Sequence, residues 1–136
     1  MKELFDVHCH MVPGVDDGAA DLEESLEMLK MQHEDGVRKI IITPHYRRRM
    51  FETPAKKVHE QFLKLQEAAK KEYPDMSLYL GCELHSNMDL QDILEKRKYV
   101  TMAGSSYVLL EFSEGDSAQH IRECSPTWRA RSCTRK

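Results

Sequence analysis

The stretch Asp6-Val-His-Cys-His-Met-Val-Pro-Gly-Val-Asp-Asp-Gly18 places two histidines two residues apart at the end of a short apolar run. Two carboxylates follow them in a glycine-flanked turn. In an extended strand, side chains two positions apart point to the same face. His8 and His10 can therefore converge on one point while Cys9 faces the other way. The stretch predicts a strand end that offers two nitrogen ligands to a metal ion.

Composition and charge narrow the class of protein. The chain has 136 residues, of which 40% are hydrophobic, and a net charge of -3, which suits one small domain with its own core. This charge balance does not predict binding to nucleic acid. No apolar run has the length of a membrane-spanning helix or a signal peptide, and the four cysteines form no CxxC pair. We expect reduced thiols, a cytoplasmic location and no membrane insertion.

Predicted strands and helices alternate along the chain. Apolar runs predict strands at 4–8, 39–43, 77–80 and 107–111, and helical spacing predicts helices over 21–36, 53–73, 90–98 and from about 117. Asp21 is predicted to cap the first helix with Glu24 as its capping-box partner. Thr53 is predicted to cap the second helix, which Pro54 opens. This alternation predicts an α/β fold of parallel βα units with right-handed crossovers.

Polar side chains follow all four predicted strands, and in a β/α barrel the active site lies at that face. Burying several polar groups together at the mouth of a barrel costs free energy unless they share a partner. This predicts a metal centre with the ligands His8, His10, Asp17, His45, Glu83 and Glu111. Of the neighbours Asp16 and Asp17, we expect one to reach the metal and the other to orient a histidine. Such donors suit Mn²⁺, Fe²⁺ or Zn²⁺, and ions of this kind hydrolyse phosphate esters through activated water.

Arg47, Arg48 and Arg49 directly follow His45. A run of three arginines is either a solvated basic loop or, beside an anionic substrate, a clamp for phosphate. We therefore treat the three as phosphate-binding candidates, as a group.

The remaining histidines and the cysteines have simpler interpretations. The histidines taken as structural are His33, His59, His85 and His120. No cysteine has an arginine at the sixth position after it, so the loop of cysteine-dependent tyrosine phosphatases is absent. Cys9 and Cys82 are interpreted as small packing residues, and any phosphatase activity would depend on metal.

Five motifs together resemble one known family. They are Asp6-Val-His-Cys-His-Met-Val-Pro-Gly-Val-Asp-Asp-Gly-Ala19, Ile42-Thr-Pro-His-Tyr46, Met50-Phe-Glu-Thr-Pro54, Gly81-Cys-Glu83 and Leu109-Leu-Glu-Phe112. They resemble the PHP-domain (polymerase and histidinol phosphatase) protein-tyrosine phosphatases of bacterial capsular and exopolysaccharide gene clusters. The similarity extends to about residue 123.

The resemblance implies a distorted (β/α)7 barrel and a cluster of two or three metal ions, preferably Mn²⁺. In that family a metal-activated hydroxide hydrolyses phosphotyrosine on the tyrosine autokinase that controls polysaccharide polymerisation. By position, Glu83 and Glu111 match the bridging carboxylates, and the arginines after His45 resemble the phosphate-facing loop.

The chain departs from that family after residue 123. The family has later strands with another histidine, an Asp-x-His ligand pair and a further arginine. We therefore expect residues 1–123 to form roughly the first four βα units of an incomplete barrel, with impaired activity. An open edge at Val108–Phe112 would favour oligomerisation. Residues 124–136 are interpreted as an atypical basic tail, disordered or frameshifted.

Two other functions fit the residues. One is a PHP-type enzyme for small phosphomonoesters, such as a histidinol phosphatase. The other is a catalytically dead module that binds metal or phosphotyrosine.

Overall fold

The computed structural model describes residues 3–87, 89, 92–93 and 101–124. Its main elements are β1 (Leu4–Cys9), α1 (Leu22–Glu34), β2 (Val37–Ile42), β3 (His45–Tyr46), α2 (Ala55–Glu72), β4 (Ser77–Leu80), β5 (Glu83–His85) and β6 (Leu109–Glu111). A short 3₁₀ turn lies at Met102–Gly104, and residues 118–124 are helical. Most of the helix predicted at 90–98 lies outside the described residues. So does the tail predicted at 124–136, except for Cys124, which is helical.

The strands form two three-stranded sheets with the orders β1-β2-β4 and β3-β5-β6. All four strand pairings in these sheets are parallel. The predicted α/β fold with parallel βα units is therefore confirmed. The last predicted strand begins two residues late, at Leu109.

After two of the predicted strands, the chain passes directly from the first sheet into a short strand of the second sheet. The chain leaves β2 at Ile42 and enters β3 at His45, and it leaves β4 at Leu80 and enters β5 at Glu83. Pro44, which has no N–H group to donate, lies in the first of these gaps. His45 and Glu83 therefore begin short second strands, and the expectation that they end strands is wrong in this detail.

Among the described residues, most of the buried apolar side chains pack on the first sheet. Its buried apolar side chains are Met11, Val12, Val15, Leu29, Val37, Ile40, Ile42, Phe62, Leu65, Ala69, Met76 and Leu78. The second sheet has a smaller cluster of Cys82, Leu84 and Ile93. Helix α2 contributes three residues to the first core at the spacing of one helical face, as its apolar stripe predicts.

Helix α1 begins where its sequence predicts. Asp21 Oδ1 accepts a hydrogen bond from the Glu24 backbone N–H at 2.9 Å, which satisfies one exposed donor of the first turn. Glu24 Oε2 in turn accepts from the Ala20 backbone N–H at 2.7 Å, one residue earlier than a standard capping box. Gly36 follows the helix with φ of +91°, a conformation that favours glycine.

The prediction that Thr53 caps α2 is wrong. Pro54 occupies the N-cap position, and the helix has no side-chain cap. The Thr53 hydroxyl instead donates to the Val15 carbonyl at 2.7 Å. Thr53 therefore connects the loop before α2 to the turn that holds Asp16 and Asp17.

Candidate metal centre

His8 and His10 lie at the end of β1, where the strand geometry brings both rings to Glu83. Glu83 Oε2 is 2.9 Å from His8 Nε2 and 3.1 Å from His10 Nε2. The two histidine Nε2 atoms are 3.3 Å apart, and Glu83 is buried. The pair of imidazoles predicted from the sequence therefore does converge on one point, and a carboxylate from the second sheet meets it there.

Asp16 connects the two loops that surround this point. Its Oδ2 accepts hydrogen bonds from His10 Nδ1 and from the His45 backbone N–H, both at 2.9 Å. Its Oδ1 accepts from the Gly18 backbone N–H at 3.0 Å. Burial opposes the charged form, but these hydrogen bonds outweigh it and lower the pKa of Asp16. The hydrogen bond to Asp16 also raises the pKa of His10.

His45 lies between the remaining carboxylates. Its Nε2 is 3.6 Å from Asp17 Oδ1. Its Nδ1 is 3.5 Å from both Glu83 Oε2 and Glu111 Oε2. Among the described residues, His45 Nδ1 and Glu111 Oε2 are buried without a hydrogen-bond partner. Burial of unpartnered polar atoms costs free energy, so this pair of atoms points to a missing partner between them.

The six residues fall into three overlapping donor groups, which are His8, His10 and Glu83, then His10, Asp17 and His45, then His45, Glu83 and Glu111. Ligands about 2.1 Å from one ion are roughly 3.0–3.4 Å apart at octahedral and tetrahedral angles. The separations between the donor atoms, 2.9–3.6 Å, bracket that range. Because His10 Nδ1 donates to Asp16, the neutral ring directs its Nε2 lone pair at Glu83. The donor set therefore fits divalent cations.

The three arginines lie on a hairpin beside the donors. The backbone N–H and carbonyl of Arg47 both pair with Phe51, at 2.9 and 2.8 Å, and Arg49 has φ of 66° at the tip. Arg47 is half-buried, whereas Arg48 and Arg49 are exposed. Within the described ranges none of the three forms an ion pair with a carboxylate. The structure thus places the arginines on the hairpin after His45, without an ion pair to the donor carboxylates among the described residues.

Sequence reasoning missed Phe51. Its ring stacks on the His45 ring with centroids 5.0 Å apart and an interplanar angle of 14°. The only sequence signal for Phe51 was its position in the Met50–Pro54 motif, and that position did not indicate a role for the side chain.

The histidines interpreted as structural have partners elsewhere or face solvent. His33 Nε2 pairs with Asp75 at 3.0 Å, His85 Nε2 with Ser113 at 3.0 Å, and His120 Nε2 with Ser86 at 3.3 Å. His59 is exposed on α2. None of them belongs to the three donor groups found among the described residues.

Cys9 packs against the core of the first sheet. Burial, with the charges of Asp6 and Asp16, raises the pKa of its thiol far above the usual range. Such a thiol is a poor nucleophile at neutral pH.

Parallel βα units with a cluster of histidines and carboxylates at one end define an α/β protein with a candidate multi-metal centre. The sequence profile of the family "Capsular polysaccharide synthesis, CpsB/CapC" matches residues 4–128. The chain therefore belongs to the CpsB/CapC family, which confirms the resemblance found from its motifs.

Curated relatives carry the names of tyrosine phosphatases. The chain is 40% identical over 118 residues to tyrosine-protein phosphatase CpsB of Streptococcus pneumoniae, covering 87% of this chain and 49% of that protein. It is 31% identical over 109 residues to tyrosine-protein phosphatase YwqE of Bacillus subtilis, covering 80% and 43%. The chain thus spans about half the length of the curated relatives it matches.

A solved structure gives the same result for the fold. It comes from work on B. subtilis YwqE and S. pneumoniae CpsB, described as unique metal-dependent tyrosine phosphatases. The TM-score is 0.83 at 27% identity, over 93% of this chain and 51% of that chain. The similarity is consistent with part of a barrel of that type. In the described part of our chain, no helix combines the length and apolar character needed to cross a bilayer.

Proposed function

We propose that this chain carries part of the active centre of a metal-dependent protein-tyrosine phosphatase. The ligands in this proposal are His8, His10, Asp17, His45, Glu83 and Glu111. The observation that carries it is the pair of buried, unpartnered atoms, His45 Nδ1 and Glu111 Oε2, which lie 3.5 Å apart beside Glu83. A cation between them would remove the cost of leaving both atoms unpaired.

The surrounding residues suit this role. Divalent ions bound at such a centre would activate water and offset the charge of a phosphoryl group. Asp16 holds His10 with Nε2 toward the centre and fixes the backbone of His45, as outer carboxylates do for metal-binding histidines. Glu83 itself is buried, which strengthens its electrostatic attraction for a bound cation.

We expect Mn²⁺ to be the preferred ion, in a cluster of two or three. Glu83 belongs to two of the three donor groups, and a carboxylate can bridge neighbouring ions through its two oxygens. Mixed nitrogen and oxygen donors also bind Fe²⁺ or Zn²⁺, so elemental analysis of the purified protein is needed to identify the bound ion.

The substrate in this proposal is phosphotyrosine on a protein, with a bacterial tyrosine autokinase of the capsular or exopolysaccharide pathway as the partner and the cytoplasm as the location. The names of the relatives support the substrate. Arg47, Arg48 and Arg49, on the hairpin that follows His45, are the candidates for binding the phosphate.

We further propose self-association through the strand edge at Val108–Phe112. Strand β6 pairs with β5 alone among the described strands, so its other edge retains unpaired backbone groups. Sedimentation analysis of the 136-residue chain should show a concentration-dependent dimer. A monomer at all concentrations would contradict this part of the proposal.

The test is release of phosphate from a phosphotyrosine peptide with added Mn²⁺ or with a chelator. We expect slow turnover that requires Mn²⁺ and that falls by at least about 10-fold in Glu83→Gln. Glu114→Gln is the matched control, because Glu114 is an exposed glutamate outside the donor groups. Turnover in chelator, or equal rates for the two variants, would contradict the metal centre.

Two further outcomes refine the proposal. Faster hydrolysis of histidinol phosphate than of the peptide would replace the proposed substrate with a small phosphomonoester. A rate close to that of S. pneumoniae CpsB would contradict the expectation that this chain is impaired.

A further inference from the structure

Two histidines of the candidate centre are oriented in different ways. A metal-binding histidine usually donates its other ring N–H to a carboxylate or carbonyl, which fixes the ring. His10 follows this pattern through its 2.9 Å hydrogen bond to Asp16. His45 does not, because its Nδ1 has no hydrogen-bond partner in the described part of the chain and its Nε2 is 3.6 Å from Asp17. No hydrogen bond among the described residues therefore fixes the ring of His45, and the carboxylates around it are 3.5–3.6 Å away.

Ring packing supplies that orientation. The Phe51 ring is stacked on the His45 ring with centroids 5.0 Å apart at 14°, and the centroid of the His10 ring lies 4.4 Å away at an angle of 32°. The terminal torsion of histidine is broad and nearly two-fold, so neighbours packed against the ring hinder its rotation.

Phe51 is itself held firmly in place. Its backbone N–H donates to the Arg47 carbonyl at 2.8 Å, and its carbonyl accepts from the Arg47 N–H at 2.9 Å. Two residues later, the Thr53 hydroxyl donates to the Val15 carbonyl. The hairpin is therefore fixed at both ends of the short segment that carries the phenyl ring.

We propose that Phe51 is a positioning residue that holds the His45 imidazole in the orientation required for metal binding, in place of the hydrogen bond that His10 has. This inference rests on the proposed metal centre for its consequence, since the orientation matters only if His45 binds a cation. A 180° rotation of the ring about Cβ–Cγ would put Cδ2 in place of Nδ1 beside Glu83 and Glu111, and Cε1 in place of Nε2 beside Asp17. The stack hinders that rotation.

The test uses the 136-residue chain with three substitutions. Phe51→Leu removes the aromatic face but keeps an apolar side chain, and Phe51→Tyr keeps the face. Met50→Ala is the control, because Met50 is the neighbouring hairpin residue and is 62% exposed. Circular dichroism confirms that each variant is folded.

The first readout is the proton NMR of the His45 ring in metal-free protein, assigned with a His45→Gln variant. We expect one set of signals, shifted upfield by Phe51, in the original chain, Phe51→Tyr and Met50→Ala. In Phe51→Leu the shift should be lost and the signals should broaden or double. A single His45 ring conformation with unchanged contacts to His10 in Phe51→Leu would overturn the proposal.

The second readout is calorimetric titration with Mn²⁺. We expect Phe51→Leu to bind about 10-fold more weakly than Met50→Ala, and Phe51→Tyr to match the original chain. Equal affinities for Phe51→Leu and Met50→Ala would also overturn the proposal. If the original chain binds no Mn²⁺, the proposed metal centre fails, and the His45 signals still decide whether Phe51 orients the ring.

Discussion

Among the described residues the two sheets differ in the size of their buried clusters, although both contribute donors to the same site. The first sheet's cluster has twelve buried apolar side chains, whereas the described part of the second sheet's cluster has three. His8 belongs to the first sheet, while His45, Glu83 and Glu111 belong to the second. Three of the six donors thus lie on the sheet with the smaller described cluster, whereas His8, His10 and Asp17 lie on β1 or in the loop after it. Substitutions in α2, which carries no donor, should change stability with little effect on donor geometry.

The largest expected effect tests the core of the first sheet. Leu65 is fully buried on α2, and Leu63 on the same helix is 46% exposed. Leu65→Ala should lower the free energy of unfolding by about 2–5 kcal/mol, because it loses burial and leaves a cavity. Leu63→Ala should cost under about 1 kcal/mol. Urea denaturation measures both, and similar costs would contradict the location of the core.

The next effect tests the junction between the sheets. A Cβ on Gly18 would overlap the backbone carbonyl and Cβ of His10, whereas one on Gly115 would meet no atom within 4 Å. Gly18→Ala should cost about 1–3 kcal/mol through overpacking and should displace His10. Gly115→Ala should leave the urea midpoint unchanged. An unchanged urea midpoint for Gly18→Ala would show that the turn can move away from β1 without loss of stability.

A third effect separates donor geometry from stability. Asp16→Asn retains the size of the side chain but weakens the acceptors that hold His10 and the His45 backbone. We expect Mn²⁺ affinity to fall by about 10- to 100-fold. Asp75→Asn, at the opposite end of the first sheet, is the control and should leave affinity unchanged. Calorimetric titration measures the Mn²⁺ affinity of both variants, and equal affinities would contradict the orienting role of Asp16.

The smallest effect concerns pH. Asp75 accepts hydrogen bonds from His33 at 3.0 Å and pairs with Arg38 at 2.9 Å. The hydrogen bond from His33, with the charge of Arg38, lowers the pKa of Asp75. Its contribution to stability is therefore present above the unfolded pKa of about 3.9 and is lost as pH falls through the lower folded value.

The thermal midpoint of the original chain should exceed that of Asp75→Asn at pH 5. The difference should shrink as the pH is lowered below about 4. A difference that stays constant down to pH 2 would show that the pair does not depend on the carboxylate charge.

Much of the first sheet was predictable because its signals are local. The apolar run 77–80 matches β4, and Asp21 caps α1 through contacts within three residues. Thr53 failed as a cap because its hydroxyl bonds to Val15, which is 38 residues away in sequence. A local rule cannot foresee a partner at that distance.

The donors were predictable as a group, but their arrangement was not. Strand alternation indicated one end of the sheet for all of them. It could not separate Asp16 from Asp17, because the difference depends on which carboxylate reaches His10 and His45. The stack of Phe51 on His45 likewise depends on a hairpin between Arg47 and Phe51. Neither contact has a periodic signature in the sequence.

The hydrogen bonds of Asp16 also bear on the order in which the chain can assemble. They join the loop after β1 to the backbone of His45, which is 29 residues away, and loops of that length close at modest entropic cost. Four of the six donors lie within these first 45 residues, namely His8, His10, Asp17 and His45. During synthesis, this part of the cluster can form while the ribosome is still adding β4 and β6. The two donors that are made later, Glu83 and Glu111, can then join four that are already in place.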